Sequence, residues 1–240
     1  MPDSSIHILY ESGPCLAILK PAGVATQAPG GIDSMEVRVK RFLAEREGRT
    51  GNVYLGVPHR LDRPVSGVLV LARHARAAKR LARQFEHRTI KKVYWACVEG
   101  FVEPPSGTWR DCVEKIPNVP QAKLTAWDPS GGCRNGGREA VLHYRVRGAT
   151  THGSWLEIEL ETGRYHQIRV QAASRGHPVL GDELYGGRIP FGPPRDDPRQ
   201  RPIALHARQL SFLHPMTKEP VTVVAPLPDA WQSLGIASGL

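Results

Sequence analysis

A charged turn set directly against an unbroken apolar run is the feature that most constrains this chain. His59-Arg60-Leu61-Asp62-Arg63-Pro64-Val65-Ser66-Gly67 places one acid between two arginines, and Val68-Leu69-Val70-Leu71-Ala72 follows at once. Five apolar residues in a row after a turn read as a buried strand. A carboxylate in that setting is either half of a structural ion pair or a nucleophile kept ionised by positive charge. A second cluster, Gly163-Arg164-Tyr165-His166-Gln167-Ile168-Arg169-Val170, supplies a further arginine.

Around the turn the pattern alternates between short strands and a few helices. Ser5–Tyr10 and Cys15–Leu19 read as two strands joined at Ser12-Gly13-Pro14. Ser34–Glu47 reads as a helix capped by Ser34, with Val37, Val39, Phe42 and Leu43 as an approximate apolar stripe. His74–His87 reads as a second helix, with Ala78, Leu81, Ala82 and Phe85 at helical spacing. Its other side carries Arg73, Arg76, Arg80 and Arg83, as a solvated face or a face that tracks phosphates. Lys91–Val98, Leu142–Val146 and Trp155–Leu160 read as strands. Ser106–Gly137 reads as short strands plus a mobile loop near Ser130-Gly131-Gly132. Ile168–Ser174 begins a helix that stops at Gly176. Gly186–Pro202 holds too many prolines for a central strand. Gln209–Leu213 and Val221–Ala225 close the chain. Many strands in hairpin order with few helices make an α+β pattern with a mainly antiparallel sheet.

With 240 residues the chain is long enough for one large domain or two small ones. Its net charge of +9 suits a phosphate-rich partner. Of 32 basic residues 24 are arginine, whose planar fork pairs with phosphate and stacks on bases. Cys15, Cys97, Cys112 and Cys133 show no C-x-x-C spacing, so the expectation is four reduced thiols, with neither a zinc ribbon nor a dense disulfide framework. His59, His166, His177, His206 and His214 fit no zinc spacing, so no metal is expected. Gly163 and Gly181 match neither phosphate-loop pattern. Gly23, Gly67 and Gly181 read as turn positions needing unusual backbone angles. There is no signal-peptide pattern and no apolar run of the ~20 residues a membrane span needs. The expectation is a soluble, cytoplasmic monomer that does not engage a membrane.

Several of these segments, in order, resemble the RluA-type pseudouridine synthases. Ile8-Leu9-Tyr10-Glu11 with Leu16–Gly23 is similar to the family's opening hairpin and its Lys-Pro-Ala-Gly turn. Lys92-Val93-Tyr94-Trp95-Ala96 resembles its lysine-x-tyrosine strand. Gly176–Asp182 with Tyr185-Gly186, Leu205-His206-Ala207 and Phe212-x-His214-Pro215 resemble its later segments. The resemblance implies the pseudouridine-synthase fold: a mixed, mainly antiparallel central sheet in two halves with flanking helices and a cleft between. It implies one catalytic domain over residues 1–240. Few residues precede the opening hairpin, so the small N-terminal RNA-binding domain of many members is not expected. It also implies the reaction, isomerisation of uridine to pseudouridine in structured RNA, ribosomal or transfer.

That reaction breaks a carbon–nitrogen bond, turns the base and rejoins it through carbon. Nothing is oxidised and no group leaves, so no cofactor is needed. A nucleophile is needed, and a carboxylate serves. Asp62 is the candidate, since an aspartate of pKa about 3.9 is ionised at neutral pH. Burial raises that value and a close arginine lowers it. The resemblance assigns that arginine to Arg169, across the cleft. It assigns Tyr94 to stack on the target base, and Arg60 to fill the gap left when the base is flipped out. His59, Arg164, His166 and Gln167 stand in the same motifs as candidate substrate-binding residues. Val65 and Tyr165 depart from the family, where threonine is common at both places, which bears on substrate choice and loop geometry. Two other readings compete. A non-catalytic RNA-binding protein or RNA chaperone on the same fold explains the charge but not Asp62, Tyr94 and Arg169 together. A glycosidase needs a second carboxylate, and neither motif supplies one.

Overall fold

A computed structural model describes residues 6–128, 131–134 and 136–236. In chain order the elements are β1 (Ile8–Ser12), β2 (Cys15–Lys20), α1 (Met35–Arg46), β3 (Ser66–Ala72), α2 (Ala75–Glu86), β4 (Lys91–Cys97), β5 (Ser106–Lys115), β6 (Ala122–Thr125), β7 (Arg138–Thr150), β8 (Gly153–Leu160), α3 (Gln167–Ala173), β9 (Leu205–Leu213) and β10 (Pro220–Val224). This is the α+β class read from the sequence. The chain contacts group into two compact units. One takes residues 1–91, 195–200 and 207–227, the other 92–194, 201–206 and 228–240. Among the described residues no helix is long and apolar enough to cross a membrane.

In the first unit the strand order is β1-β2-β3-β9-β10. β1 and β2 form a hairpin closed by Gly13, at φ +50°, and Pro14. All seven residues of β3 are buried, and the side-chain alternation explains how. Leu69 and Leu71 pack with Leu16 and Ile18 against Met35, Val39 and Leu43 of α1. Val68, Val70 and Ala72 pack with Cys15 and Ala17 against Ala77 and Leu81 of α2. A strand with a helix on each face has no wet side, so its sequence does not alternate. Ser34 caps α1 as expected, its hydroxyl accepting from the Val37 N–H at 3.4 Å. His74 caps α2, its Nδ1 accepting from the Ala77 N–H at 3.1 Å.

In the second unit the order is β4-β8-β7-β5-β6, antiparallel at each step. β7 runs well beyond the predicted Leu142–Val146. Its added ends carry Arg138, Glu139 and Arg147 among small residues, and charge at the ends of an antiparallel strand with one wet face reads as loop in a short window. Val170 of α3 packs on Val113, Ala122 and Ala140 of the sheet. Cys112 and Cys133 form a disulfide, with Cα atoms 5.5 Å apart. This corrects the expectation of four free thiols. The bond ties β5 to the segment between β6 and β7, joining two cysteines 21 positions apart, a spacing no short motif reveals. Cys15 and Cys97 are free and buried. Of the expected features, Ser5 at the start of the first strand and Ser130 in the glycine loop lie outside the described residues.

Candidate active site

Asp62 belongs to the first unit, half-buried on the loop that leads into β3, with Arg60 exposed beside it. Three side chains fix this loop from behind. Lys20, at the end of β2, is wholly buried. Its Nζ donates to the carbonyls of Pro21 at 2.9 Å, Arg63 at 3.2 Å and Val65 at 2.7 Å. Three acceptors match the three protons of an ammonium. Burial pushes the Lys20 pKa down to about 7, opposed by the negative charge of Asp62 and assisted by Arg63. Thr26 is 3% exposed and grips the residue before Asp62 from both sides. Its hydroxyl donates to the Leu61 carbonyl at 2.8 Å and accepts the Leu61 N–H at 3.1 Å. His59 accepts the Val70 N–H at Nε2, 2.9 Å, and stacks on Phe85 with centroids 4.4 Å apart. A neutral His59 therefore carries its proton on Nδ1.

The backbone completes the hold. The Gly23 N–H donates to the Arg63 carbonyl at 2.8 Å, and the Val65 N–H to the Asp62 carbonyl at 3.1 Å. Gly67 sits at φ +124°, where a Cβ would stand 2.3 Å from the Ala207 carbonyl oxygen. Only glycine fits there, as the sequence reading required of Gly67. The Lys-Pro-Ala-Gly turn and the Asp62 loop are thus one hydrogen-bonded body.

Tyr94 and Arg169 belong to the second unit. Tyr94 is half-buried on β4, opposite Ile158 of β8. Arg169, on α3, is 4% exposed. Its Nε and Nη2 donate to the two carboxylate oxygens of Asp182 at 2.6 and 2.7 Å, a bidentate pair. Its Nη1 donates to His166 Nε2 at 3.1 Å. A guanidinium has only donors, so Nε2 of His166 accepts and Nδ1 holds the proton. That N–H donates to the Tyr185 oxygen at 2.9 Å, which also accepts from the Ala122 N–H at 2.8 Å. Burial first, then Arg169, pushes the His166 pKa down to about 3; Lys115 adds to this and Asp182 opposes it. Tyr165 stacks on His166 with centroids 3.9 Å apart, under Lys115 Nζ at 5.2 Å.

The neighbouring candidates are tied to the protein as well. The Gln167 Oε1 accepts from the Thr162 hydroxyl at 2.8 Å and the Arg164 N–H at 2.9 Å, while its Nε2 donates to the Val141 carbonyl at 3.1 Å. The Arg164 Nε donates to the Glu139 carbonyl at 2.7 Å. Among the described residues no group of three or more His, Cys, Asp or Glu is placed to hold a metal. The reading by motif had named Asp62 and Arg169 but not what holds them. Lys20 had a usable signal, a cation closing an apolar strand just before a proline. Thr26 had none, since its partners are backbone atoms 35 positions away.

Comparison with known proteins supplies the class. The RNA pseudouridylate synthase family profile matches residues 15–174. The chain is 36% identical over 240 residues to the uncharacterized RNA pseudouridine synthase slr1629 of Synechocystis sp., covering 95% of this chain and 68% of that protein. It is 37% identical over 241 residues to the ribosomal large subunit pseudouridine synthase D of Xanthomonas campestris pv. campestris, covering 97% and 69%. The structure of human RNA pseudouridylate synthase domain containing 4 superposes with a TM-score of 0.77 at 24% identity, over 95% of this chain and 93% of that one. The chain belongs to the RNA pseudouridine synthase family and is an isomerase.

Proposed function

We propose that this enzyme converts uridine in ribosomal or transfer RNA to pseudouridine, with Asp62 as the nucleophile and the target nucleotide flipped out of its helix. The observation that carries the reading is the hold on Asp62. A flexible surface carboxylate would not require a buried lysine, a buried threonine and a histidine all spent on its own loop. Nucleophiles gain rate from such fixed placement. Extrusion of the base costs a few kcal/mol of unstacking, and exposed, planar Arg60 is assigned to fill the gap. Tyr94 is assigned to stack on the target base, and Arg169 to the reaction rather than to affinity. His59, His166 and Gln167 spend hydrogen bonds on protein partners and are assigned to shaping the site. The name of the Xanthomonas relative favours large-subunit ribosomal RNA as the substrate. The whole chain acts as one catalytic domain, as a monomer in the cytoplasm, without a cofactor.

The test is pseudouridine mapping on total RNA from a source strain lacking this gene, treated with wild type and with Asp62→Asn. A discrete new site with wild type only is the expected result, the variant losing a factor on the order of 10⁴ or more while still binding RNA. Turnover retained by Asp62→Asn overturns the nucleophile assignment.

A further inference from the structure

The cations on α2 and just before it fall into two sets. Arg73 is spent on Glu11 and Glu47, and Arg80 donates to the Pro215 carbonyl at 2.8 Å. Arg76, Lys79 and Arg83 are exposed, and among the described residues their side chains make no hydrogen bond or ion pair. At helical spacing these three fall within an arc of about 60° and span about 10 Å of the axis. They face away from buried Ala77 and Leu81. Elsewhere exposed or half-exposed arginines find acids: Arg38 pairs with Asp33, Arg46 with Glu11 and Arg175 with Asp111.

As a device for helix stability the stripe is badly built. The first turn has no acid, and Arg76 stands there instead, at the positive end of the helix dipole. Arg76 and Lys79 are three apart and Lys79 and Arg83 four apart, the spacings at which like charges repel. The helix's one acid, Glu86, lies at the edge of the stripe and pairs with none of them. An external polyanion relieves all of these conflicts.

We propose that Arg76, Lys79 and Arg83 form a phosphate-docking face of the first unit, which grips the backbone of the substrate RNA apart from the target nucleotide. The inference rests on RNA as the substrate, but not on Asp62 as the nucleophile. Cations that touch phosphate set affinity and its salt dependence, and carry no base preference.

The experiment compares the full-length wild type with Arg76→Gln/Lys79→Gln/Arg83→Gln; glutamine keeps helix propensity close to that of lysine and arginine. The probe is an unmodified uridine-containing stem–loop transcript, with binding measured from low to high KCl. Each lost phosphate contact removes roughly 0.7–0.9 from the slope of log affinity against log salt. The triple variant should therefore lose about 2–3 from that slope, with an unchanged circular dichroism spectrum and Tm. Arg38→Gln, which removes a cation already paired to Asp33, should leave the slope alone. An unchanged slope in a folded triple variant overturns the proposal. An equal fall with Arg38→Gln also overturns it, because net charge would then explain the effect. Undiminished RNA binding with lost adhesion to phosphatidylglycerol vesicles would assign the face to a membrane and overturn it too. Because binding is read without turnover, failure of the Asp62 assignment leaves this result interpretable.

Discussion

The two units hold their key residues by opposite means. In the first, the Asp62 loop is fixed mostly through its backbone: carbonyls of Pro21, Arg63 and Val65 on Lys20, both amide groups of Leu61 on Thr26, the Val70 N–H on His59. In the second, Arg169 is fixed through its charge, by both oxygens of Asp182 and by neutral His166. A loop held by many separate bonds degrades by degrees when one is lost. A buried guanidinium held by charge loses more at one step, because removal of a bidentate carboxylate takes two charge-assisted bonds from an ion kept away from water. The Asp62 loop is thus held along its backbone, whereas the Arg169 guanidinium spends three of its nitrogens on the scaffold.

The largest expected effect breaks the second arrangement. Asp182→Ala leaves Arg169, 4% exposed, without its bidentate partner. Such a deletion costs about 3–5 kcal/mol, read as a lower urea midpoint. A loss under 1 kcal/mol would show that water or another acid reaches Arg169 easily, and the contrast between the units would fall.

The pH dependence of stability sharpens the same point. The His166 pKa lies near 3 in the folded chain and 6.5 as its ordinary value. Below pH 6.5 the unfolded chain takes up a proton that the folded chain refuses. Stability is therefore full above pH 6.5 and falls as the pH drops toward 3. Between pH 6.5 and 5 the loss from this group is about 2 kcal/mol, at ~1.4 kcal/mol per pH unit. Urea unfolding of wild type and His166→Asn over that range checks it. Asparagine tolerates the left-handed backbone at position 166, φ +52°. The variant should show a shallower slope by about one proton, and equal slopes would remove His166 as the cause.

What the sequence disclosed and what it hid follow the same division. β3 was legible because burial on both faces leaves an unbroken apolar run, and α1 because one-sided burial leaves a helical period; Val39 and Leu43 of the expected stripe are buried, while Val37 is exposed and Met35 takes its place in the core. Asp62 and Arg169 stand out as candidates because motifs carry them. Gly67 was legible because only glycine takes its backbone angle. Thr26 was hidden, since a hydroxyl that binds backbone leaves no mark on the partner's side chain. The Cys112–Cys133 bond was hidden because it ties β5 to the segment between β6 and β7, 21 positions on.

The smallest expected change in stability is at Thr26, and it separates placement from folding most cleanly. Thr26→Val keeps the shape and removes both bonds to Leu61, at about 1–2 kcal/mol for two neutral hydrogen bonds. Lys20, His59 and Gly23 still hold the loop, so the protein stays folded. Leu61 is the residue before Asp62, so a small shift there moves the carboxylate itself. The expected result is kcat down about tenfold, equivalent to ~1.4 kcal/mol of barrier, with KM for the RNA unchanged, and restoration by Thr26→Ser. A KM that rises with kcat unchanged would make Thr26 part of RNA binding. A loss of stability with neither constant altered would mean that the loop tolerates the slack, and that the backbone hold on Asp62 serves folding alone.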